Sequence, residues 1–387
     1  MGSGGTSNNG DFLNSPTFKL ILLIGMVLQN SATVLVGRYT RSSVPKDELY
    51  VVNHLILITE IGKLLLSCVF EYVTTNGMLV QSIQQNIIER PYDALKIMVP
   101  ALLYLVQNSL LYLALSNLTA PVFQVTYQAK LVTTAIVSVI MLNRKYSVQQ
   151  WICLVGLSIG VAIVVLGEGG GKKDEKKEED NKAEQSLTVG LFAVTVACMS
   201  SALAGVYFEK VVKTPSSGTK NQNAKPVSVW MRNIQLAFFT IITAMMQNWY
   251  STYVAAGKND ASSASATAAN QSYFHGFTGW VWVLVWLQAG GGLLVAAIIK
   301  YADNVLKGLA TGVSVCFATA VSTVIFATPL SGQFTVGATL ILISVYLFSN
   351  PLPTSVRAKL GMKPEGMPSS PTSGNAASSE MKPILPR

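Results

Sequence analysis

The stretch Gln288–Gly308, QAGGGLLVAAIIKYADNVLKG, decides how the chain is read. It sets Gly290, Gly291 and Gly292 side by side in an apolar run and follows them with the charges of Lys300, Asp303 and Lys307. Consecutive glycines strip one helix surface of side chains, so a neighbouring helix or a flat ligand reaches the backbone. Charges at bilayer depth need water, a partner or an anion. A polar cavity inside a membrane bundle satisfies both demands. Asp303 or Asn304 also suits the cap of a following helix, whereas Lys300 has no such alternative.

The rest of the chain agrees. Its 387 residues are 50% hydrophobic and only 12% charged, with mean hydropathy +0.42, against about 25% charged residues in a soluble domain. Runs of about 20 apolar residues cross a bilayer. They can be drawn at Phe18–Val36, Val51–Val73, Leu95–Leu115, Val122–Leu142, Val148–Leu166, Leu187–Val212, Val227–Trp249, Trp280–Tyr301, Val305–Thr328 and Phe334–Phe348. The expected fold is therefore all-α and membrane-embedded, with ten transmembrane helices. A charged run, KKDEKKEEDNKAE at 172–184, divides them five and five and reads as a solvated linker. An odd number of spans per half makes the two halves insert in opposite orientations, which is the plan of an inverted repeat. The expected division is a disordered cytosolic N-terminus at 1–16, a first five-helix half at 17–166, the linker at 167–186, a second half at 187–349 and a disordered cytosolic tail at 350–387.

Met1–Pro16 lacks the basic and apolar regions of a cleaved signal peptide, so the first span is expected to act as its own insertion signal. The net charge of +9 is scattered over short loops, span ends and the tail rather than gathered on one face, which argues against nucleic acid. Cys68, Cys153, Cys198 and Cys316 lie singly in spans, as small buried hydrophobes, and suggest neither disulfide nor metal. His54 and His275 have no second ligand at metal spacing. No Walker, G-x-S-x-G or H-E-x-x-H pattern is present. No cofactor is expected, and no enzyme.

Polar residues inside the spans mark a candidate site. Glu60, Lys63 and Ser67 share one face of the second span, where Glu60 and Lys63 either neutralise each other or act in binding and gating. Tyr104, Gln107, Asn108 and Ser109 either bridge helices or meet a solute. Lys130 lies near mid-span on one face with Tyr127 and Thr134, too deep to reach the interface easily, and points to an aqueous cavity or an anion. In the seventh span Arg232 suits an interface anchor, while Asn233 and Gln235 lie deeper.

These residues resemble the nucleotide-sugar transporters of the Golgi and endoplasmic reticulum, within the drug/metabolite transporter superfamily. The resemblance runs along nearly all ten spans. It rests on Gln29-Asn30-Ser31-Ala32 with Arg38-Tyr39-Thr40-Arg41, on Tyr104 to Asn108, on Asn117-Leu-Thr119 leading to Gln124 through Lys130, on Ala204 through Lys210, on Trp230 through Gln235, and on Gly291-Gly292 followed by Lys300 through Asn304 and Lys307-Gly308. It implies a Golgi membrane transporter, with the endoplasmic reticulum as the alternative, that exchanges a cytosolic nucleotide sugar for luminal nucleoside monophosphate by alternating access. The family positions matching Lys63, Asn108, Tyr127, Lys130, Asn233, Gly291, Gly292 and Lys300 would line the central cavity, with Lys130 and Lys300 acting on the phosphates from opposite halves. CMP-sialic acid transporters follow the paired glycines with Leu-Tyr-Thr-Ser, where this chain has Leu293-Leu294-Val295-Ala296. That block looks more like UDP-galactose and UDP-N-acetylglucosamine transporters, so a UDP-sugar exchanged for UMP is expected, UDP-galactose first. The rivals are a UDP-N-acetylglucosamine or CMP-sialic acid transporter and, further off, another superfamily anion exchanger such as a sugar-phosphate translocator, a membrane-embedded glycosyltransferase or a structural membrane scaffold. The expected partners are the nucleotide sugar, UMP and the lipid bilayer. The oligomeric state stays open, a homodimer included.

Basic residues around Arg90, Arg144–Lys145, Lys213–Lys225 and Arg357–Lys363 would share one side, which predicts both termini in the cytosol and Ser251–Thr278, with its Asn270-Gln-Ser272 sequon, in the lumen. Protease added to sealed Golgi vesicles should cleave the C-terminal tail; a protected tail would overturn this topology.

Overall fold

The computed structural model describes residues 15–42, 48–169, 186–214, 227–257, 274–325 and 332–350. The charged linker, residues 258–273 with the Asn270 sequon, residues 215–226 and both termini lie outside them. Among the described residues all regular structure is helical: α1 (Pro16–Ser42), α2 (Val52–Thr74), α3 (Leu79–Ile83), α4 (Pro91–Leu95), α5 (Met98–Asn117), α6 (Ala120–Tyr127), α7 (Ala129–Leu142), α8 (Val148–Gly169), α9 (Leu187–Lys213), α10 (Val229–Gly257), α11 (Gly279–Tyr301), α12 (Asn304–Ile325) and α13 (Gly332–Ser349). A single π-helical turn, Gln84–Ile88, follows α3.

Among the described residues, nine helical stretches are long and apolar enough to cross a bilayer. Helix α2 matches them in length, with 23 residues, and differs in composition because it carries Glu60, Lys63 and Glu71. It nonetheless packs along α10 and α11 inside the bundle.

Two expected spans are broken. Pro100 has no N–H to donate to Lys96, and its ring crowds that carbonyl. The third crossing accordingly pauses at Lys96–Ile97, where the Ile97 amide bonds Ala94 at 3.0 Å instead. The expected single span Val122–Leu142 is α6 and α7, interrupted at Gln128. There Gln128 N donates to Val125 O and Leu131 N to Gln128 O, both at 3.2 Å, a tightened turn of i to i+3 bonds. Neither Pro nor Gly marks that break, so the residue pattern did not reveal it.

With α6 and α7 counted as one crossing, the extensive helix contacts are closed under an exchange of helices five crossings apart. The α5·α9 pair maps onto α11·α1, α7·α9 onto α12·α1 and α2·α11 onto α10·α5, while α2·α10 and α8·α13 map onto themselves. The α8·α13 contact brings backbones together. A methyl group built on Gly160 would meet the Gly337 carbonyl at 3.0 Å, and one built on Gly337 would meet the Gly160 carbonyl at 2.7 Å. Leu154, Leu157, Val161, Val164 and Ile341 form the apolar cluster around this contact.

Where α2, α7 and α9 finish and α10 and α12 begin, the bundle is tied by ions. Glu209, with a fully buried side chain, pairs with Arg144 and with Lys213 at 2.7 Å. Its other oxygen accepts the Asn304 amide at 3.2 Å, and Asp303 lies 3.5 Å from Arg144. Burial opposes the Arg144 charge, but Asp303, the Tyr146 hydroxyl and Glu209 outweigh it and raise its pKa. Asp303 also caps α12 by accepting from the Leu306 amide at 2.7 Å, as the sequence allowed. Nearby, Arg232 donates to Asp93 at 2.6 Å and to Gln235 at 3.0 Å. Only 2% exposed, Arg232 is an internal tie between α4 and α10 rather than an interface anchor.

Leucine in place of Gly337 should separate α8 from α13 at a cost of about 1–3 kcal/mol. The thermal midpoint of the detergent-solubilised protein should then fall by several degrees. Alanine in place of Gly290, where an added methyl group would meet nothing beyond its own stretch of helix within 4 Å, should leave it in place. Equal midpoints for the two variants would refute this account of the contact.

Candidate functional site

Two cavities open in the bundle. The larger, about 460 Å³, lies among α2, α5 and α10 and is lined by Asn53, Glu60, Lys63, Tyr104, Asn108, Thr240, Thr243 and Gln247, together with apolar residues. It extends from the level of Lys63 toward the bundle end opposite the ionic ties, where α2 begins and α5 finishes. The smaller, about 260 Å³, lies among α6, α7, α8, α9 and α12 and is lined by Tyr127, Gln128, Lys130, Thr134, Ser158, Ser201, Asn304, Lys307 and Thr311 among others.

The break at Gln128 places Lys130 in the first turn of α7. Its Nζ donates to the Tyr127 hydroxyl at 3.1 Å and lies 5.2 Å from the centre of that ring. The same phenol oxygen accepts from Gln107 Nε2 at 3.3 Å, which leaves Gln107 Oε1 buried without a partner. Tyr127 stacks on Phe123 with ring centres 5.7 Å apart. Across the smaller cavity stands Lys307, within electrostatic reach of both Lys130 and Glu209. The residues lining this cavity include no carboxylate. An excess of positive charge in an apolar bundle is costly unless an anion joins it, and phosphate oxygens are strong acceptors for ammonium groups.

The larger cavity is different in charge. Lys63 Nζ lies 2.6 Å from Glu60, and that carboxylate also accepts from Thr240 Oγ1 at 2.7 Å. The neutralising pair that the sequence left as one of two readings is thus present, and it lines the cavity as well.

The structure does not gather all eight predicted residues. Lys63 and Asn108 line the larger cavity, and Tyr127 and Lys130 the smaller. Gly292 sits against Lys63, whose Cδ would be 2.6 Å from an added methyl; Gly291 faces the Gln29 amide, which donates to Leu287 O at 2.9 Å. The glycines therefore receive two side chains from α1 and α2, where the sequence had allowed a flat ligand. Asn233 is buried with Nδ2 unpartnered and lines neither cavity. Lys300 stands at the end of α11 over the Tyr301 ring, 5.5 Å from its centre, within the electrostatic reach of Glu71. Glu71 itself is buried and accepts from Ser82 and Ser228. In the structure it is Lys307, and not Lys300, that lines a cavity together with Lys130. Leu294 and Ala296, of the block from which the uridine preference was read, pack in apolar clusters.

Lys307 was singled out as a charge but not as a site residue. A signal for it was present: Asn304, Lys307, Gly308, Thr311, Gly312 and Val315 recur at helical spacing and make one polar, small-residue face of α12, the face that lines the smaller cavity. Thr240, Thr243 and Gln247 were hidden in an apolar span with no such contrast.

Comparison with known proteins places this geometry. Residues 14–349 match the family model described as nucleotide-sugar transporter. The UDP-galactose translocator of Homo sapiens is 39% identical over 337 residues, covering 86% of this chain and 77% of the relative. The UDP-N-acetylglucosamine transporter of Rattus norvegicus is 38% identical over 312 residues, covering 80% and 87%. The UDP-N-acetylglucosamine/UDP-N-acetylgalactosamine transporter nstp-4 of Caenorhabditis elegans is 34% identical over 344 residues, covering 87% and 94%. A solved crystal structure superposes with TM-score 0.57 over 89% of this chain and 99% of its own, at 13% identity, which speaks to the fold alone. With a family match over nearly the whole described bundle, the chain belongs to the nucleotide-sugar transporters.

Proposed function

We propose that the chain is a Golgi antiporter that imports a UDP-sugar, UDP-galactose first, in exchange for UMP by alternating access. The observation that carries the reading is the pair Lys130 and Lys307 in one cavity with no carboxylate in its lining. A ligand bearing about two negative charges needs such compensation to enter a low-dielectric bundle, and the α-phosphate common to UMP and UDP-sugars supplies it in both directions of exchange. The names of the relatives support a uridine nucleotide, and the rat and nematode transporters make UDP-N-acetylglucosamine the second reading.

In this proposal ten crossings, α2 among them, form two inverted halves with boundaries close to 17–166 and 187–349, and the ionically tied end faces the cytosol. Tyr127 and Lys130 act with Lys307 on phosphate. Lys63 and Asn108 face the remainder of the ligand in the larger cavity, Gly291 and Gly292 seat Gln29 and Lys63, and Asn233 braces α10 behind the site. Lys300 works with Glu71 at the tied end, where the relief of their attraction accompanies opening.

Alanine in place of Lys130 or Lys307 should weaken UMP binding by about tenfold or more, because each removes one partner of a buried charged contact. Lys300→Ala should keep UMP affinity and slow exchange. Ligand-induced thermal stabilisation and uptake into UMP-loaded proteoliposomes separate these outcomes; unchanged UMP affinity in folded Lys130→Ala and Lys307→Ala variants would overturn the phosphate role. In the same liposomes UMP should drive UDP-galactose uptake faster than CMP does. Equal rates would refute the preference for uridine, and uptake driven by sugar phosphates but not UMP would move the chain to the sugar-phosphate exchangers.

A further inference from the structure

Polar side chains of α5 and α6 stand between the two cavities. Tyr104 of α5 lines the larger, Tyr127 of α6 lines the smaller, and the two phenols lie within electrostatic reach of each other. Gln107, one helical turn along from Tyr104, lines neither cavity and is 7% exposed. Its Nε2 donates to the Tyr127 hydroxyl at 3.3 Å, while its Oε1 is buried with no hydrogen-bond partner among the described residues. A buried acceptor without a donor is destabilising. A residue that served packing alone at this position would be better made of carbon.

We infer that Gln107 is a positioning residue for phosphate: its amide holds the Tyr127 hydroxyl so that the phenol gives its hydrogen to a phosphate oxygen beside Lys130. The inference rests on the functional reading above, in which the smaller cavity takes the phosphates.

The hydrogen-bond inventory carries it. The phenol oxygen accepts from Gln107 Nε2 at 3.3 Å and from Lys130 Nζ at 3.1 Å. A hydroxyl has two acceptor lone pairs and a single hydrogen. With both lone pairs occupied, the phenol can serve a ligand only as a donor. Turning the amide over would let Gln107 Oε1 take that hydrogen, but it would strand an NH2 group in the interior, two buried donors in place of one acceptor. The ring itself has little freedom. It stacks on Phe123 with centres 5.7 Å apart and packs against the cluster of Ala114, Leu118 and Cys198, and the Tyr127 carbonyl accepts from Cys198 Sγ at 3.8 Å. Ionised phosphate oxygens accept hydrogen bonds, and a donor already held in place loses little freedom when the ligand arrives. The amide also suits the position because it is neutral. A carboxylate there would take the phenol hydrogen for itself and offset the charge of Lys130.

The test reads affinity for UMP and for uridine, which has no phosphate, by ligand-induced thermal stabilisation of the detergent-solubilised full chain. Gln107→Met, close in length and shape but without the amide, should weaken UMP by about three- to tenfold, the worth of one hydrogen bond, and leave uridine unchanged. Gln107→Glu should weaken UMP by more than about tenfold, because it sets a like charge where the phosphate arrives. In a Tyr127→Phe protein, which has no hydroxyl to position, adding Gln107→Met should change UMP affinity by less than about twofold, since two residues acting through one contact are not additive. Gln107→Leu carries the same comparisons should Gln107→Met fail to fold. A residue that only packs would weaken UMP and uridine alike, and by the same factor with or without the Tyr127 hydroxyl. Either result would overturn the inference while leaving the antiporter reading intact. Failure of the natural protein to exchange any UDP-hexose for UMP in proteoliposomes would overturn that reading, and the inference with it.

Discussion

A charge inside an apolar bundle has to meet an opposite charge, a set of polar hydrogens or water, and the internal order of this protein follows from how each of its ions does so. Glu209 is completely buried and is tolerated because Arg144, Lys213 and the Asn304 amide converge on it from three segments. Asp93 and Arg232 satisfy one another between α4 and α10. Breaking such a pair leaves a bare charge behind, at a cost of about 3–5 kcal/mol, so these ties fix which helix ends stand together. Against that background the smaller cavity is the exception, with two cations in its lining and no carboxylate. Elsewhere among the described residues, Glu209, Asp93 and Glu60 each have a cationic partner.

Helix breaks place the ions. Pro100 interrupts the third crossing above Asp93, and the turn at Gln128 interrupts the fourth just before Lys130. Lys130 and Tyr127 lie three residues apart on one face, and across the tightened turn the ammonium reaches back to the phenol. Close packing then fixes the walls. Gly291 and Gly292 admit Gln29 and Lys63 from two neighbouring helices, and the second of these contacts holds Lys63 beside Glu60.

Much of this was legible in the residues, for stated physical reasons. Apolar runs the length of a bilayer announced the helices, and the lone mid-span Lys130 announced a cavity, because neither feature has another stable environment. The Asp303 cap followed from a short polar residue at the start of an apolar run. What could not be read was anything that depends on two distant segments meeting. Nothing in the sequence links Glu71 or Glu209 to the partners that reach them from elsewhere in the chain, Ser228 in one case and Arg144 in the other. Lys300 and Lys307 were equally conspicuous, and only the rotation of α12 against α7 decides which of them faces Lys130. The break at Gln128 has no local marker, since its residues are sound helix formers or neutral ones and the surrounding packing alone selects the turn.

The exchange symmetry of the helix contacts has a further meaning. Helices α2 and α10, and again α8 and α13, each pack against their own counterpart, as identical surfaces do where two copies of one subunit meet across a two-fold axis. The remaining extensive contacts also join early crossings to late ones, or come in matched sets that do, so neither set of helices has a complete interior of its own. The early crossings supply α2 and α5 to the larger cavity and the late ones supply α10, while the smaller takes α6, α7 and α8 from one and α9 and α12 from the other. Both cavities are thus interface features, built like the shared site of a dimer inside a single chain. Their walls are set by how early and late crossings pack against each other, with neither set enclosing a cavity by itself.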